Sequence, residues 1–150
     1  MAEVIKLNPT RKQQWLTALR SGLYQQTDRR LTDGCGGYCC YGVACEISGT
    51  ARNTENVPIT WTNNRVYYGE PTEQRWDNIP LSVAKWLGIG ESYRDGRIYI
   101  PVYDTDPLDL RKLCSLADTV ALDYLNDDID LDGNHRFPFN RIADLIEERL

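Results

Sequence analysis

The chain has a single histidine, His135, and only two phenylalanines among its 150 residues. No stretch approaches the ~20 apolar residues of a membrane-spanning helix. The opening residues Met1-Ala2-Glu3-Val4-Ile5-Lys6 lack the apolar core and cleavage site of a signal peptide, so a cytoplasmic location is expected, in the host cell if the chain is phage-encoded. The Lys-Ser/Thr ending of a P-loop is missing, as is any motif for a serine nucleophile, a metalloprotease or a dinucleotide-binding fold. One histidine leaves one candidate imidazole base. Internal repeats and low-complexity tracts are absent too.

What remains describes one globular domain over residues 1–150. Hydrophobic residues make up 41% and charged residues 26%, ordinary values for such a domain, and a chain this long supports its own core. Nine Tyr and four Trp outnumber the Phe. Rings with a polar handle suit a core that reaches the surface, or a surface that meets a partner. Net charge is −5, unevenly spread. Residues 1–40 hold six Lys/Arg against three acids, whereas the remainder holds eleven against nineteen. General nucleic-acid binding is disfavoured, because it needs a net basic surface. A local anion site in the N-terminal quarter stays open.

The densest feature is the run Asp33-Gly34-Cys35-Gly36-Gly37-Tyr38-Cys39-Cys40-Tyr41-Gly42-Val43-Ala44-Cys45, which holds four of the five cysteines. An odd cysteine count with an adjacent pair fits reduced thiols better than a secreted disulfide framework. Around this run the pattern is mostly helical. Asn8-Pro9 starts a helix to about Ser21, with Trp15, Leu16 and Leu19 as its stripe. Further helices are expected from Cys39 to Ile47, Pro80 to Leu87 and Leu113 to Leu125, and a last one capped by Asn140. Residues 23–38 and 49–63 read as loops. Arg65 to Tyr68 and Arg97 to Tyr103 read as strands, with Pro101 confining the second to an edge. The expected class is α+β: a mostly helical domain with a small two- or three-stranded antiparallel sheet.

Several segments together resemble a group of small uncharacterised proteins of bacteriophages and phage-bearing bacteria. They are Trp15-Leu16-Thr17-Ala18-Leu19-Arg20-Ser21-Gly22-Leu23-Tyr24-Gln25-Gln26, Leu31-Thr32-Asp33-Gly34, Cys39-Cys40-Tyr41-Gly42-Val43-Ala44-Cys45, Pro80 to Gly88, Leu125-Asn126-Asp127 and Phe139 to Glu147. The resemblance covers about half the chain. It implies a phage-type accessory protein and no particular chemistry. Cys35 in the glycine loop and a longer insertion between Asp127 and Phe139 depart from the pattern.

Four candidate sites follow. Gly34, Gly36 and Gly37 precede a helix N-terminus, where unpaired N–H groups can hold an anion. Arg29 and Arg30 could add charge-assisted bonds, and Tyr38 or Tyr41 could stack on a base. The alternative is a tight packing turn. Cys35, Cys39, Cys40 and Cys45 have poor spacing for zinc, since adjacent helical cysteines point ~100° apart; His135 and Cys114 would complete a site only through tertiary structure. Cys39 near a helix start could be a catalytic thiol with His135 as base. Asp128, Asp130 and Asp132 with Gly133 match half of a calcium loop, but Arg136 and Phe139 occupy later ligand positions. Small buried hydrophobes and an acidic turn are the plainer readings of these cysteines and aspartates. Nine Asp from Asp104 to Asp132 form either a protein-binding or DNA-mimicking face or solvated surface.

A non-enzymatic binding protein is therefore expected, holding a small nucleotide-like anion or a host defence protein, with no cofactor. A Cys39/Cys40–His135 enzyme and a small phage structural protein stabilised by zinc or calcium are the alternatives. Self-association is left open.

Overall fold

Asn8 and Pro9 start the first helix as the sequence predicts. The Asn8 side chain accepts the Arg11 N–H at 3.1 Å, and the missing N–H of Pro9 costs nothing at that position. A computed structural model of the chain describes residues 5–53, 66–90, 95–114 and 118–150. Among them are six helices: α1 (Pro9–Arg20), α2 (Cys40–Ser48), α3 (Leu81–Leu87), α4 (Leu108–Arg111), α5 (Leu122–Asn126) and α6 (Phe139–Arg149). Short strands form three pairs among the described residues. β1 (Gln25–Gln26) lies parallel to β2 (Gly37–Tyr38), β3 (Arg52–Asn53) antiparallel to β4 (Tyr67–Tyr68), and β5 (Tyr99–Pro101) antiparallel to β6 (Thr119–Ala121). The chain is a mostly helical α+β domain. Its strands make separate two-stranded pairs, one of them parallel, where a single antiparallel sheet is expected from the sequence.

α2 occupies the centre. Every residue from Cys40 to Cys45 is buried, and α1, α3 and α5 pack around it. Its thiols fill space as small hydrophobes do. Trp15 of α1 is fully buried and its indole N–H donates to the Cys40 carbonyl at 3.0 Å. α6 packs on α1 with Ile142, Ala143, Leu145 and Ile146 inward. The entry to α2 is so close to the preceding segment that a Cβ at Gly42 would stand 1.7 Å from the Leu31 carbonyl oxygen. Only glycine fits that crossing.

One helix of the sequence reading is replaced. Leu113 to Leu125 is expected to be helical, but the chain forms α4 before it, then β6, then the short α5; residues 115–117 lie outside the described residues. Asp118 takes a left-handed φ of 58° and ends any continuous helix there. Val120 then pairs with Ile100, and Ala121 with Tyr99. Val120 and Ile100 are both buried, so the gain from this cross-strand packing outweighs helical propensity. Two smaller differences concern the ends. α6 starts at Phe139 after Pro138, without a side-chain cap, so Asn140 is inside the first turn. Arg65 and residues 54–63 of the expected loop lie outside the described residues.

The C-terminal helix is tied down by a buried ion pair. The side chains of Arg149 and Asp106 are 4% and 8% exposed. Arg149 Nη1 donates to Asp106 Oδ2 and to the Pro101 carbonyl, each at 2.8 Å, and the guanidinium lies 5.0 Å from the Tyr103 ring. The Arg149 bonds hold the Asp106 carboxyl below its usual range, against the opposing effect of burial.

A depressed folded-state pKa stabilises above the unfolded value of ~3.9, and the contribution is lost as pH falls through the folded value. Asp106→Asn should therefore flatten the acid limb of a stability profile measured by urea unfolding between pH 7 and pH 2. Asp106→Ala should cost about 3–5 kcal/mol at neutral pH, because Arg149 is left buried and unpaired. An unchanged acid limb in the Asn variant would refute the assignment. Gly42→Ala should lose more than about 3 kcal/mol through overpacking; a melting temperature within a degree of wild type would contradict the crossing at Leu31.

Candidate functional site

The arginines singled out in the sequence line a small polar cleft. It measures about 190 Å³ and is lined by Arg29, Arg30, Cys39, Asp77, Asn78, Arg97, Asp123, Tyr124 and Asp127. Five separate segments build it, Cys39 at the start of α2 and Arg97 ahead of β5 among them. Arg29 has a left-handed φ of 65°, and its N–H donates to Asp127 Oδ1 at 2.9 Å. The next residue but one, Leu31, donates its N–H to the Trp76 carbonyl at 2.7 Å, which brings the chain of Asp77 and Asn78 alongside that of Arg30. α5 supplies Asp123 and Tyr124, and Asp127 follows at its end.

The back of the cleft is a buried network. The Tyr41 hydroxyl donates to Asp123 Oδ1 at 3.0 Å and accepts the N–H groups of Ile98 at 3.0 Å and Asp123 at 3.3 Å. Arg97 Nε stands 3.2 Å from Asp123 Oδ2, and its guanidinium lies 5.2 Å from the Tyr124 ring. Burial pushes the Asp123 carboxyl up, while Arg97 and the Tyr41 hydroxyl oppose it. Burial also raises the Tyr41 phenol well above its ordinary range. A hydroxyl that holds its proton is a firm donor to Asp123.

The other ligand candidates are placed differently. Tyr41 is fully buried, so it has no face to offer a base. Tyr38 is half-buried and meets Tyr24 edge-on, with ring centroids 5.3 Å apart. The glycine loop is closed on itself. Asp33 Oδ1 accepts the N–H of Cys35 at 2.7 Å and of Gly37 at 2.9 Å, and the Thr32 hydroxyl takes the Gly34 N–H at 3.2 Å. A carboxylate already sits where an anion would, so Gly34, Gly36 and Gly37 form a packing turn. The start of α2 is likewise filled: Cys40 N–H donates to Asn126 Oδ1 at 3.1 Å and Gly42 N–H to Cys39 Sγ at 3.4 Å.

No hydrogen bond joins the Cys39 thiol to the His135 imidazole among the described residues. His135 Nδ1 lies 2.8 Å from the Asn126 carbonyl oxygen, which assigns it a proton and fixes the ring there. Burial pushes the Cys39 thiol up to about 12 and lifts Cys40 and Cys45 well above their ordinary values. The helix start does not outweigh desolvation, so these are poor nucleophiles. The acidic loop also uses its own groups. Asp130 Oδ1 accepts the N–H of Asp132 and of Asn134, both at 2.9 Å, and Asp128 pairs with Arg136 at 3.1 Å. Among the described residues no three His, Cys, Asp or Glu side chains are grouped to hold a metal ion. No helix among them is long and apolar enough to cross a membrane.

Sequence reasoning missed Arg97, Asp77, Asn78, Asp123, Tyr124 and Asp127 as cleft residues. The Leu125-Asn126-Asp127 motif was the available signal for α5. The fold and cleft define a small mostly helical α+β domain with a polar recess that Cys39, at the start of α2, helps to line. The chain belongs to the family described as Domain of unknown function (DUF8296), whose model matches residues 7–150. Neither a curated protein nor a solved structure matches the chain.

These burials predict how the thiols react. Cys35 is exposed, whereas Cys39, Cys40 and Cys45 are buried. Iodoacetamide at neutral pH should label Cys35 first in the native protein, and the fast phase should vanish in Cys35→Ser. Equally fast labelling of Cys39, read by peptide mass spectrometry, would revive the thiol enzyme.

Proposed function

We propose that this protein is a non-enzymatic binding protein that sequesters a small nucleotide-like anion in the cleft of Arg29, Arg30 and Arg97. The observation that carries this is the free charge at the mouth. Arg30 has no side-chain hydrogen bond or ion pair among the described residues, and Arg29 reaches only its neighbour Asp28 at 3.5 Å. Both can turn to a phosphate with charge-assisted bonds. The ring of Tyr124 is half-exposed beside them, a surface on which a base can lie. The phage-type resemblance supports a role against host defence, by withholding such a ligand.

The enzyme reading has little support, given raised thiol pKa values and a committed histidine. A partner docking on the acidic stretch also draws less support. Asp106, Asp109, Asp123 and Asp128 are each paired with an arginine. Asp127 and Asp130 are spent on backbone N–H groups. An open acidic face of the DNA-mimicking kind needs unspent carboxylates.

Calorimetric titration of the full chain with nucleoside monophosphates tests the proposal. Arg30→Ala should weaken binding about ten- to a hundredfold, the range for losing bonds to a charged group, with an unchanged thermal melt. Absence of heat with every nucleotide, or equal affinity in the variant, would refute it.

A further inference from the structure

The charges in the cleft divide into spent and unspent groups. Asp123 is taken by Arg97 and Tyr41, and Asp127 Oδ1 by the Arg29 N–H and by Asn126 Nδ2 at 3.1 Å. Asp77 is different. Its carboxylate has no hydrogen bond or ion pair among the described residues, though it lines the same recess as Arg30, which also has none, and Arg29, which meets only Asp28. Arg30 and Asp77 flank one backbone hydrogen bond, Leu31 N–H to the Trp76 carbonyl at 2.7 Å. An acceptor-only group thus lines the same recess as one unspent cation, Arg30, and a second, Arg29, held only by its neighbour Asp28.

That pairing restricts the ligand. A bare phosphate would satisfy the arginines and face Asp77 with like charge. A phosphate linked to neutral hydroxyl donors meets both demands, since a carboxylate accepts two O–H bonds side by side. Carboxylates read the ribose hydroxyls of dinucleotides in this way. Size points the same way. A recess of about 190 Å³ is smaller than the ~300–1,000 Å³ that encloses a whole drug-sized ligand. It takes a sugar phosphate, with the base outside over the Tyr124 ring.

We infer that Asp77 reads the ribose diol, so that the cleft selects ribonucleoside monophosphates over their 2′-deoxy counterparts. This inference rests on the nucleotide reading of the cleft. Calorimetry on the full chain with adenosine 5′-monophosphate, its 2′-deoxy analogue and inorganic phosphate tests it. The wild type should hold the ribonucleotide about tenfold more tightly than the deoxy form. Asp77→Ala should bring that ratio close to one without weakening the deoxy form, and Asp77→Asn should give an intermediate ratio. Arg30→Ala should weaken both nucleotides alike and leave the ratio in place. Equal affinities for the two nucleotides in the wild type would overturn the diol assignment alone. Failure of both to bind would overturn the nucleotide reading and this inference with it.

Discussion

The buried carboxamide of Asn126 holds together the parts on which the cleft depends. An asparagine side chain offers two donors and two acceptor sites, and here all four are used. Oδ1 accepts the Gln26 side chain and the Cys40 N–H, each at 3.1 Å. Nδ2 donates to the Thr27 carbonyl at 2.8 Å and to Asp127 Oδ1 at 3.1 Å. One side chain with no exposure therefore joins β1, the start of α2 and the end of α5. It also stands where a ligand anion would have met α2, because it takes an N–H that the helix start leaves unpaired. A carboxylate in its place would lose both donors and repel Asp127. A hydrophobe would leave the Cys40 N–H buried without a partner, a cost of about 1–3 kcal/mol.

The features that looked most like ligand sites share one structural device. In the glycine loop, Asp33 accepts the N–H groups two and four residues on and donates its own N–H to the Gly37 carbonyl. In the acidic loop, Asp130 does the same with Asp132 and Asn134. Each has a left-handed glycine three residues after the aspartate, Gly36 and Gly133. Aspartate and glycine are what a phosphate or calcium loop requires, and also what a self-closed turn requires. Their spacing alone does not separate the two uses. The difference lies in where the carboxylate points, and a composition pattern does not contain that.

The helices α1, α2, α3 and α6 were legible because caps and apolar stripes are local signals. The strand at Thr119–Ala121 was not, because its stability comes from Ile100 and Tyr99, far away in sequence. The cleft divides the same way. Arg29 and Arg30 stood out as a basic pair beside a conspicuous loop. Arg97, Asp77 and Asp123 had no local mark; the Leu31–Trp76 backbone bond, the Ile98–Tyr41 bond and the packing of α5 against α2 bring them into one recess.

Two arginines of that recess differ in their pairing from those elsewhere in the fold. Arg20, Arg97, Arg136, Arg141 and Arg149 each meet a carboxylate from elsewhere in the chain. This pairing neutralises much of the acidic C-terminal half and gives the fold many of its long-range ties. Arg29 and Arg30 stay outside the pattern, and Arg29 adopts a backbone conformation that costs a non-glycine residue about 1–2 kcal/mol. In an extended chain, successive side chains point to opposite sides. A left-handed residue breaks that alternation and lets both arginines line one cleft. Asp127 fixes the turn by taking the Arg29 N–H, and Asn126 fixes Asp127. Strain held in place by buried bonds, beside an arginine without a side-chain partner among the described residues, is the feature on which the proposed anion site rests.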